Sequence, residues 1–591
     1  MAARTIGDST TSTGARTGGG LSRLWHRQIG HYPNTGPRVF YLAIVVLATI
    51  VLYYQLYVGG AVAPQILTSY HMSFRFYVDI TVVANAIGAF TSILAGIADR
   101  WGRANLVTYG LGITALLILF GIPNAPNGWA FAIIISAVGF VEGIILVATP
   151  ALVRDFSPQL GRASAMGFWT LGPVVGSLVV AEVASNTLSH LVAWQDQFTI
   201  CGIVGVAIFL VAFVGLRELA PRLRDQLMVN MRDRALVEAR ARGIDVEAGL
   251  RRPWRQIVKP DVVLSALAIS VFLILYYTAV GFNPIYFETL FGYTAQKANA
   301  LGNWWWGIDA IALVVIGIVS DRLRVRKPFM ILGALGAAAM TIVYLTKATA
   351  AHTSYYEFAL IISLIAAFMA IAYAPWMASF TETVERRNPA LTAHGLAVWG
   401  WIVRATVAIS VFILPYVVSS TNALVAYGTV AKKAQLIEKT DPTIKIVLAH
   451  PALFAQLAKY PTTSKIPAAL LGKAIKEVGL KNLLAVSKDP HVTSEAAFFT
   501  HHATQLHQVI AASQASPSQW QHWYWVCVAG LLAFIPLVLL MAGRWSPRRA
   551  KQDEVEHDRI VQEELQRLHD GTSAESPGAV SATTAVAPPE S

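Results

Sequence analysis

The stretch GIADRWGRAN, Gly96 to Asn105, sets an Asp-Arg cluster between two long apolar runs, and a shorter echo, GIVSDRLRVRK, follows at Gly317 to Lys327. Around both, the chain is too apolar for a water-soluble protein. Of its 591 residues 55% are hydrophobic and only 14% charged, with a mean hydropathy of +0.51. In water such a chain would expose large sticky patches; in lipid it would not. A bilayer core about 30 Å thick takes roughly 20 apolar residues per helical crossing. Twelve runs of that kind fit between charges, prolines and glycines: 39–62, 78–98, 105–122, 130–152, 163–184, 198–216, 262–286, 300–319, 329–345, 358–380, 391–418 and 523–543.

Arg and Lys gather before the first run and after the even-numbered ones, at Arg100 and Arg103, Arg154 and Arg162, Arg322 to Lys327, and Arg386 and Arg387. The alternate loops hold few, such as Arg75, Lys297 and Lys347. Short cytoplasmic loops carry the positive excess, so both termini are expected in the cytoplasm, beneath a cell (plasma) membrane. The same asymmetry accounts for the formal net charge of +12. No basic patch on a soluble domain points to nucleic acid. Cys201 and Cys527 both fall inside apolar runs and give neither a disulfide framework nor a metal motif. No phosphate-cradling Gly-rich loop with Lys-Ser/Thr is present, which argues against direct ATP coupling.

The runs divide the chain. Residues 1–37, rich in Ser, Thr and Gly, read as a disordered cytoplasmic tail, 38–216 as a six-helix bundle, and 217–260 as an amphipathic cytoplasmic linker. Spans seven to eleven of a second bundle occupy 261–418, and 523–543 closes it. Between them, 419–522 is too long for a connection and reads as an extracytoplasmic helical insert; 544–591 is a cytoplasmic tail. The insert contains His450, His491, His501, His502, His507 and His522, but no Cys and no tight His-x3-His spacing. These read as surface histidines, with no metal and no other cofactor expected.

The two halves repeat one another. Tyr53-Tyr54 stands 45 residues before Asp99, Tyr276-Tyr277 stands 44 before Asp321, and each pair precedes a proline, Pro64 or Pro284. AMGFWTLG at 165–172 likewise echoes AHGLAVWG at 393–400. The expected fold is therefore all-α, with twelve transmembrane helices in two pseudo-symmetric six-helix bundles. Parallel repeats of this kind are a transporter plan, with the solute site near mid-membrane where the halves meet.

The loop residues resemble the major facilitator superfamily, whose signature is Gly-x-x-x-Asp-Arg-x-Gly-Arg after the second span, often with a degraded copy after the eighth. Asp99, Arg100, Gly102 and Arg103 match it, with Ala95 at the first glycine position. The copy keeps Gly317, Asp321 and Arg322 but has Arg324 where Gly102 stands, so its turn must differ. The resemblance covers all twelve runs. It implies a latch in which Asp99 faces the N-terminal dipole of the eleventh span while Arg100 and Arg103, with Asp321 and Arg322 in the copy, help hold the halves together. The plainer reading is that the arginines only set topology. Gly172-Pro173-x-x-Gly176 is similar to a motif of the superfamily's drug and proton antiporters, although Ser177 follows where Gly is usual. Those glycines also permit close helix approach.

Charge inside a span is costly unless it faces a cavity or a partner. Glu142 lies 12 residues before Arg154, Asp309 lies 12 before Asp321, and Arg404 lies 13 after Leu391. At about 1.5 Å per residue all three sit roughly 18–20 Å from the inner interface. Glu142 and Asp309 are the proton-coupling candidates, the alternative being structural ion pairs. Arg404 either binds an anionic solute or pairs with one of these acids. Trp401, three residues earlier, would supply a cation-π contact, and Trp305, Tyr54 and Tyr277 complete the substrate-binding candidates.

The chain is thus read as a secondary active transporter of a small organic solute and not as an enzyme, its partners being lipid, solute and protons. Arg404 favours import of an anionic metabolite with protons; the Gly-Pro motif favours export of drug-like compounds against them. A reading of a different class is a transporter-like scaffold or sensor acting through the insert.

Overall fold

The computed structural model describes residues 27–93, 101–157, 170–221, 223, 253–350, 352–387, 392–460, 465–541, 543–549 and parts of 551–566. Asp99 and Arg100 lie outside the described residues. Over its described residues, each of the twelve apolar runs falls on a helix or a broken pair of helices. In the first half these are α1 (Thr35–Ala61), extended by the short α2 (Ala63–Ser69), then α3 (Phe74–Ile93), α4 (Arg103–Leu116), α5 (Gly128–Phe156), α6 (Gly172–Thr187) and α7 (Trp194–Gly215). After the short α8 (Pro253–Ile257), the second half has α9 (Pro260–Phe272) and α10 (Ile274–Leu290), which together form one span. Next come α11 (Ala295–Leu323), α12 (Lys327–Lys347), α13 (Tyr355–Arg387) and α14 (Thr392–Val417).

Seven short helices follow, from α15 (Ser420–Ala426) and α16 (Gly428–Thr440) through α17 (Pro442–Ala449), α18 (Pro451–Leu457), α19 (Ala468–Val478) and α20 (Leu480–Lys488) to α21 (Val492–His501). The last span is α22 (Ala503–Val538). Nine of the helices among the described residues are long and apolar enough to cross a membrane. The protein is an integral, multi-pass membrane protein. One main core runs through both halves, from Tyr54 and Phe74 to Trp520 and Phe534.

Two boundaries differ from the sequence reading. The last helix begins at Ala503, twenty residues before its apolar run, because the polar stretch up to His522 continues the helix in contact with the insert instead of lipid. Residues from Arg27 onward, assigned to the tail, belong to the folded structure. Gln28–Ile29 forms a short parallel strand (β1) with Glu218–Leu219 (β2), and buried Arg27 donates to the carbonyls of Ala212 and Phe213 at the end of α7. A cation at a helix C-terminus is favoured by the exposed carbonyls and the dipole.

Around the signature loop, Gly102 has φ +88° and ψ 133°, a backbone region open to glycine alone, and a Cβ there would lie 2.5 Å from Glu218 Oε1. The close approach lets Glu218 Oε2 accept from the Arg103 and Ala104 amides at 2.7 and 3.3 Å, capping the N-terminus of α4 with a carboxylate. In the copy, Arg324 has φ 56° and ψ 32°, a left-handed cap that a side chain tolerates, so the two turns do differ.

The Arg103 guanidinium clasps Asp155, at the end of α5, through 2.8 and 2.7 Å hydrogen bonds, with both side chains buried. Arg103 braces α4 to α5 within one half, while the expected cross-half latch turns on Asp99 and Arg100, which lie outside the described residues. Asp321 is paired by Arg326 at 2.7 Å, while Arg322 is exposed. Arg103→Ala removes a bidentate charge partner of the buried Asp155, and is expected to lower the unfolding temperature of the detergent-purified protein.

The halves close against each other on the side that carries the insert. Gly60 approaches Val280 so tightly that a Cβ would lie 2.8 Å from its carbonyl oxygen. The Asn299 amide donates to Ala61 O at 2.9 Å, and the Asn303 amide to Glu182 Oε2 and Ser185 Oγ at 2.7 and 3.1 Å. Phe74 packs edge-on against Phe282, and Arg75 lies over the Tyr416 ring. The insert joins this seal, for Asn422 accepts a 2.8 Å hydrogen bond from the Phe74 amide across the halves. Beyond it, the insert helices enclose small cores of their own, including Ile444, Val447 and Phe499.

Candidate functional site

Glu142 is the middle residue of the 29-residue α5, and Asp309 is the middle residue of the 29-residue α11. They are 2% and 5% exposed. The repeat therefore places one carboxyl at the midpoint of a spanning helix in each half. Neither oxygen of Glu142 has a hydrogen-bond partner among the described residues. Interior polar groups are nearly always paired, so an orphaned carboxyl in the core needs a functional reason.

Between the two carboxyls stands a tyrosine set on which the halves converge. Tyr53 and Tyr57, one turn apart on α1, present their rings to the same face with centroids 5.6 Å apart. Tyr53 lies within electrostatic reach of Tyr277, Arg404 and Glu142, and Tyr57 within reach of Tyr276, Tyr277 and Glu142. On α13, Tyr373 is within reach of Tyr53, Tyr277 and Asp309. Tyr276 packs on Tyr277 and Trp306 at 5.3 and 5.2 Å. The hydroxyls of Tyr276 and Ser177 are buried and lie close to one another, joining α10 to α6 across the halves. Tyr53, Tyr57, Tyr277, Tyr373 and Arg404 sit mid-span facing the other half yet keep part of their surface open.

Arg404 belongs to this centre. It lies within electrostatic reach of Tyr53 and Tyr277. Among the described residues it has no ion pair with Glu142, Asp309 or any other acid. The pairing alternative for Arg404 is not what this geometry displays.

Other sequence candidates are placed differently. Tyr54 is turned about 100° from Tyr53 and is buried inside the first half near Cys201, so Tyr53 takes the central position. Trp401 is 54% exposed and shares an outward stripe with Ile409, Phe412 and Tyr416, so it offers Arg404 no ring. Trp305 is buried against Trp306, and Trp306 is the ring that meets the tyrosines. Tyr277 stands where it was expected.

Gly172, Pro173 and Gly176 position Tyr53. Pro173 sits in the first turn of α6, where its missing N–H costs nothing. A Cβ on Gly172 would lie 2.6 Å from the Thr49 methyl, and one on Gly176 would lie 2.6 Å from the Tyr53 Cβ. The two glycines let α6 lie directly against α1 behind the tyrosine face. In this chain the motif acts on site geometry.

The sequence candidates did not include Tyr53, Tyr57, Tyr276 or Tyr373. The four-residue spacing of Tyr53 and Tyr57 was a usable signal, whereas Tyr373 is a lone tyrosine in an apolar run. Among the described residues no group of three or more His, Cys, Asp or Glu side chains converges as a metal site.

Comparison with known proteins bears on this arrangement. The Major Facilitator Superfamily sequence model matches residues 45–409. Sugar phosphate exchanger 3 of Gallus gallus is 22% identical over 285 residues, 44% of this chain and 56% of that protein. Efflux pump radE of Floropilus chiversii is 24% identical over 292 residues, 45% of this chain and 53% of that protein. The chain spans about half the length of these curated relatives. Among solved structures, a bacterial homologue of the human lysosomal transporter Spinster, in an inward-facing and occupied conformation, aligns with a TM-score of 0.53. It is 16% identical, over 82% of this chain and 99% of that one.

Proposed function

The chain belongs to the major facilitator superfamily and is a transporter of small solutes, and from that premise we propose that it couples solute movement to protons at Glu142 and Asp309. The observation that carries the reading is the pair of buried carboxyls at the midpoints of α5 and α11, one in each half and each within electrostatic reach of the central tyrosines. A carboxyl in that position can take a proton from one side and yield it to the other as access alternates. The solute occupies the space among Tyr53, Tyr57, Tyr277, Tyr373 and Arg404.

With both termini in the cytoplasm of a plasma-membrane protein, the sealed insert side is the outer side, and the described contacts are those of an outwardly closed transporter. Transport then requires the Asn299, Asn303 and Asn422 hydrogen bonds to part. Arg404 supports an anionic solute. Export remains a second direction for the same machinery, supported by the likeness to an efflux pump. The insert, seated on the gate between the halves, serves gating on this reading.

Reconstituted in vesicles with the membrane potential clamped at zero, the protein is expected to accumulate solute against its gradient when a pH difference is imposed. One proton per solute gives about tenfold accumulation per pH unit, since one unit is worth about 1.4 kcal/mol. Solute movement that ignores the pH difference would remove proton coupling from the account.

A further inference from the structure

The central charges and rings narrow the solute further, on the reading that this centre is the transport site. We propose that the solute is a monoanion with an apolar ring, its carboxylate held by Arg404 and its ring packed among the central tyrosines.

Charge counting is the first step. Arg404 is the only Arg or Lys inside any of the twelve apolar runs. It stands near the centre without an ion pair among the described residues, beside the Tyr53 and Tyr277 hydroxyls. A planar guanidinium matches one carboxylate through two parallel hydrogen bonds, and phenol hydroxyls beside it can donate to the same oxygens. One cation balances one negative charge. A phosphate ester carries nearly two negative charges at neutral pH. Its second charge would be buried without compensation, in a centre that already contains the carboxyls of Glu142 and Asp309, and that is costly. A permanent organic cation would meet the unpaired guanidinium.

The rings are the second step. Tyr53 and Tyr57 face the centre from the first half, and Tyr277 and Tyr373 from the second. Aromatic faces favour an apolar ring in offset or edge contact, each such pair adding to the gain from burial. A neutral sugar is normally recognised through many hydroxyl partners, such as amide donors and acceptors. The central residues named here are phenols and one guanidinium.

Arg404, Tyr277 and Tyr373 belong to the second half and the Tyr53–Tyr57 face to α1 in the first, so a solute held by all of them touches both halves.

The test uses the full-length protein purified in detergent and three aromatic monocarboxylates that stay ionised and cross lipid slowly: phenylpyruvate, indole-3-lactate and 4-hydroxyphenyllactate. Glucose 6-phosphate and tetraphenylphosphonium serve as the doubly charged and cationic comparators. At least one of the carboxylates is expected to raise the unfolding temperature in a saturable way, with the comparators giving smaller shifts. Arg404→Gln is expected to weaken its binding at least ~10-fold and Arg404→Lys less, because Lys keeps the charge and loses the fork. Should the arginine variants fail to fold, Tyr53→Phe and Tyr53→Ala replace them: Phe keeps the ring and is expected to bind within a few fold, while Ala loses binding.

No saturable shift with any of the three carboxylates overturns the proposal. So does a larger shift with glucose 6-phosphate or tetraphenylphosphonium, or a carboxylate shift indifferent to both Arg404 and Tyr53. Counterflow in vesicles separates this from the broader reading: a carboxylate that binds as described but is never carried supports the site and contradicts transport through it, whereas carriage of a comparator alone overturns the solute class and leaves transport intact.

Discussion

Vesicles carrying the Glu142→Gln, Asp309→Asn double variant are expected to lose all accumulation driven by a pH gradient, while still exchanging solute for solute. Each substitution keeps the shape and hydrogen-bonding capacity of a neutral carboxyl and removes its ability to carry a proton. Because both residues are buried at the midpoints of their helices and neither has an ion-pair partner among the described residues, neither amide breaks a salt bridge. With one proton per solute, a gradient of two pH units supports about 100-fold accumulation in the native protein and none in the variant. Single variants then locate the carrier: the one that abolishes accumulation alone identifies it. Uphill transport that survives in the double variant contradicts the assignment of both acids.

Closing the insert-side seal covalently is expected to have a comparably large effect. Asn303 and Ser185 come from opposite halves and share a 3.1 Å hydrogen bond, so Ser185→Cys with Asn303→Cys brings two thiols close enough for a disulfide or a short bifunctional bridge. The native Cys201 and Cys527 are buried and do not compete readily for reagent. Cross-linked protein is expected to transport at background and to recover on reduction, because the halves must part there once per cycle. If the cross-linked protein transports at the native rate, the seal is no gate.

The parts of this architecture that were legible in the sequence are those set by distance along one chain. Glu142 and Asp309 could be placed near the middle of their helices by counting residues to the nearest basic loop, since a helix rises by a fixed step. Arg324 in place of Gly102 announced a different turn, and the backbone angles follow. What depends on rotation between neighbours was hidden. Whether Tyr53 or Tyr54 faces the centre depends on how α6 seats Gly172 and Gly176 against α1, and no spacing within α1 encodes that contact. Trp401 and Arg404 are three residues apart, only about 60° around the helix, yet Trp401 is exposed and Arg404 half-buried, a difference set by the neighbouring helices and not by spacing.

Pairings between distant segments were hidden for the same reason. Arg103 with Asp155, Glu218 with the start of α4, and Arg27 with the end of α7 each join segments far apart in the chain. They are also where the signature loop acquires a physical role in this chain: Gly102 makes room for the Glu218 carboxylate, and Arg103 ties the loop to α5. The early start of α22 was concealed by composition, because its first twenty residues are polar and gain their order from the insert packed beside them.

The central claim is that solute and protons move together through the centre between the halves. The most direct measurement is simultaneous solute and proton flux in vesicles containing the protein and an internal pH-sensitive dye. The membrane potential is clamped, and an aromatic monocarboxylate that binds the purified protein is added on one side. The account predicts that adding solute alone shifts the internal pH in fixed proportion to the solute carried, and that the shift vanishes in the Glu142→Gln, Asp309→Asn variant. Solute flux with no accompanying proton movement in the native protein would contradict it.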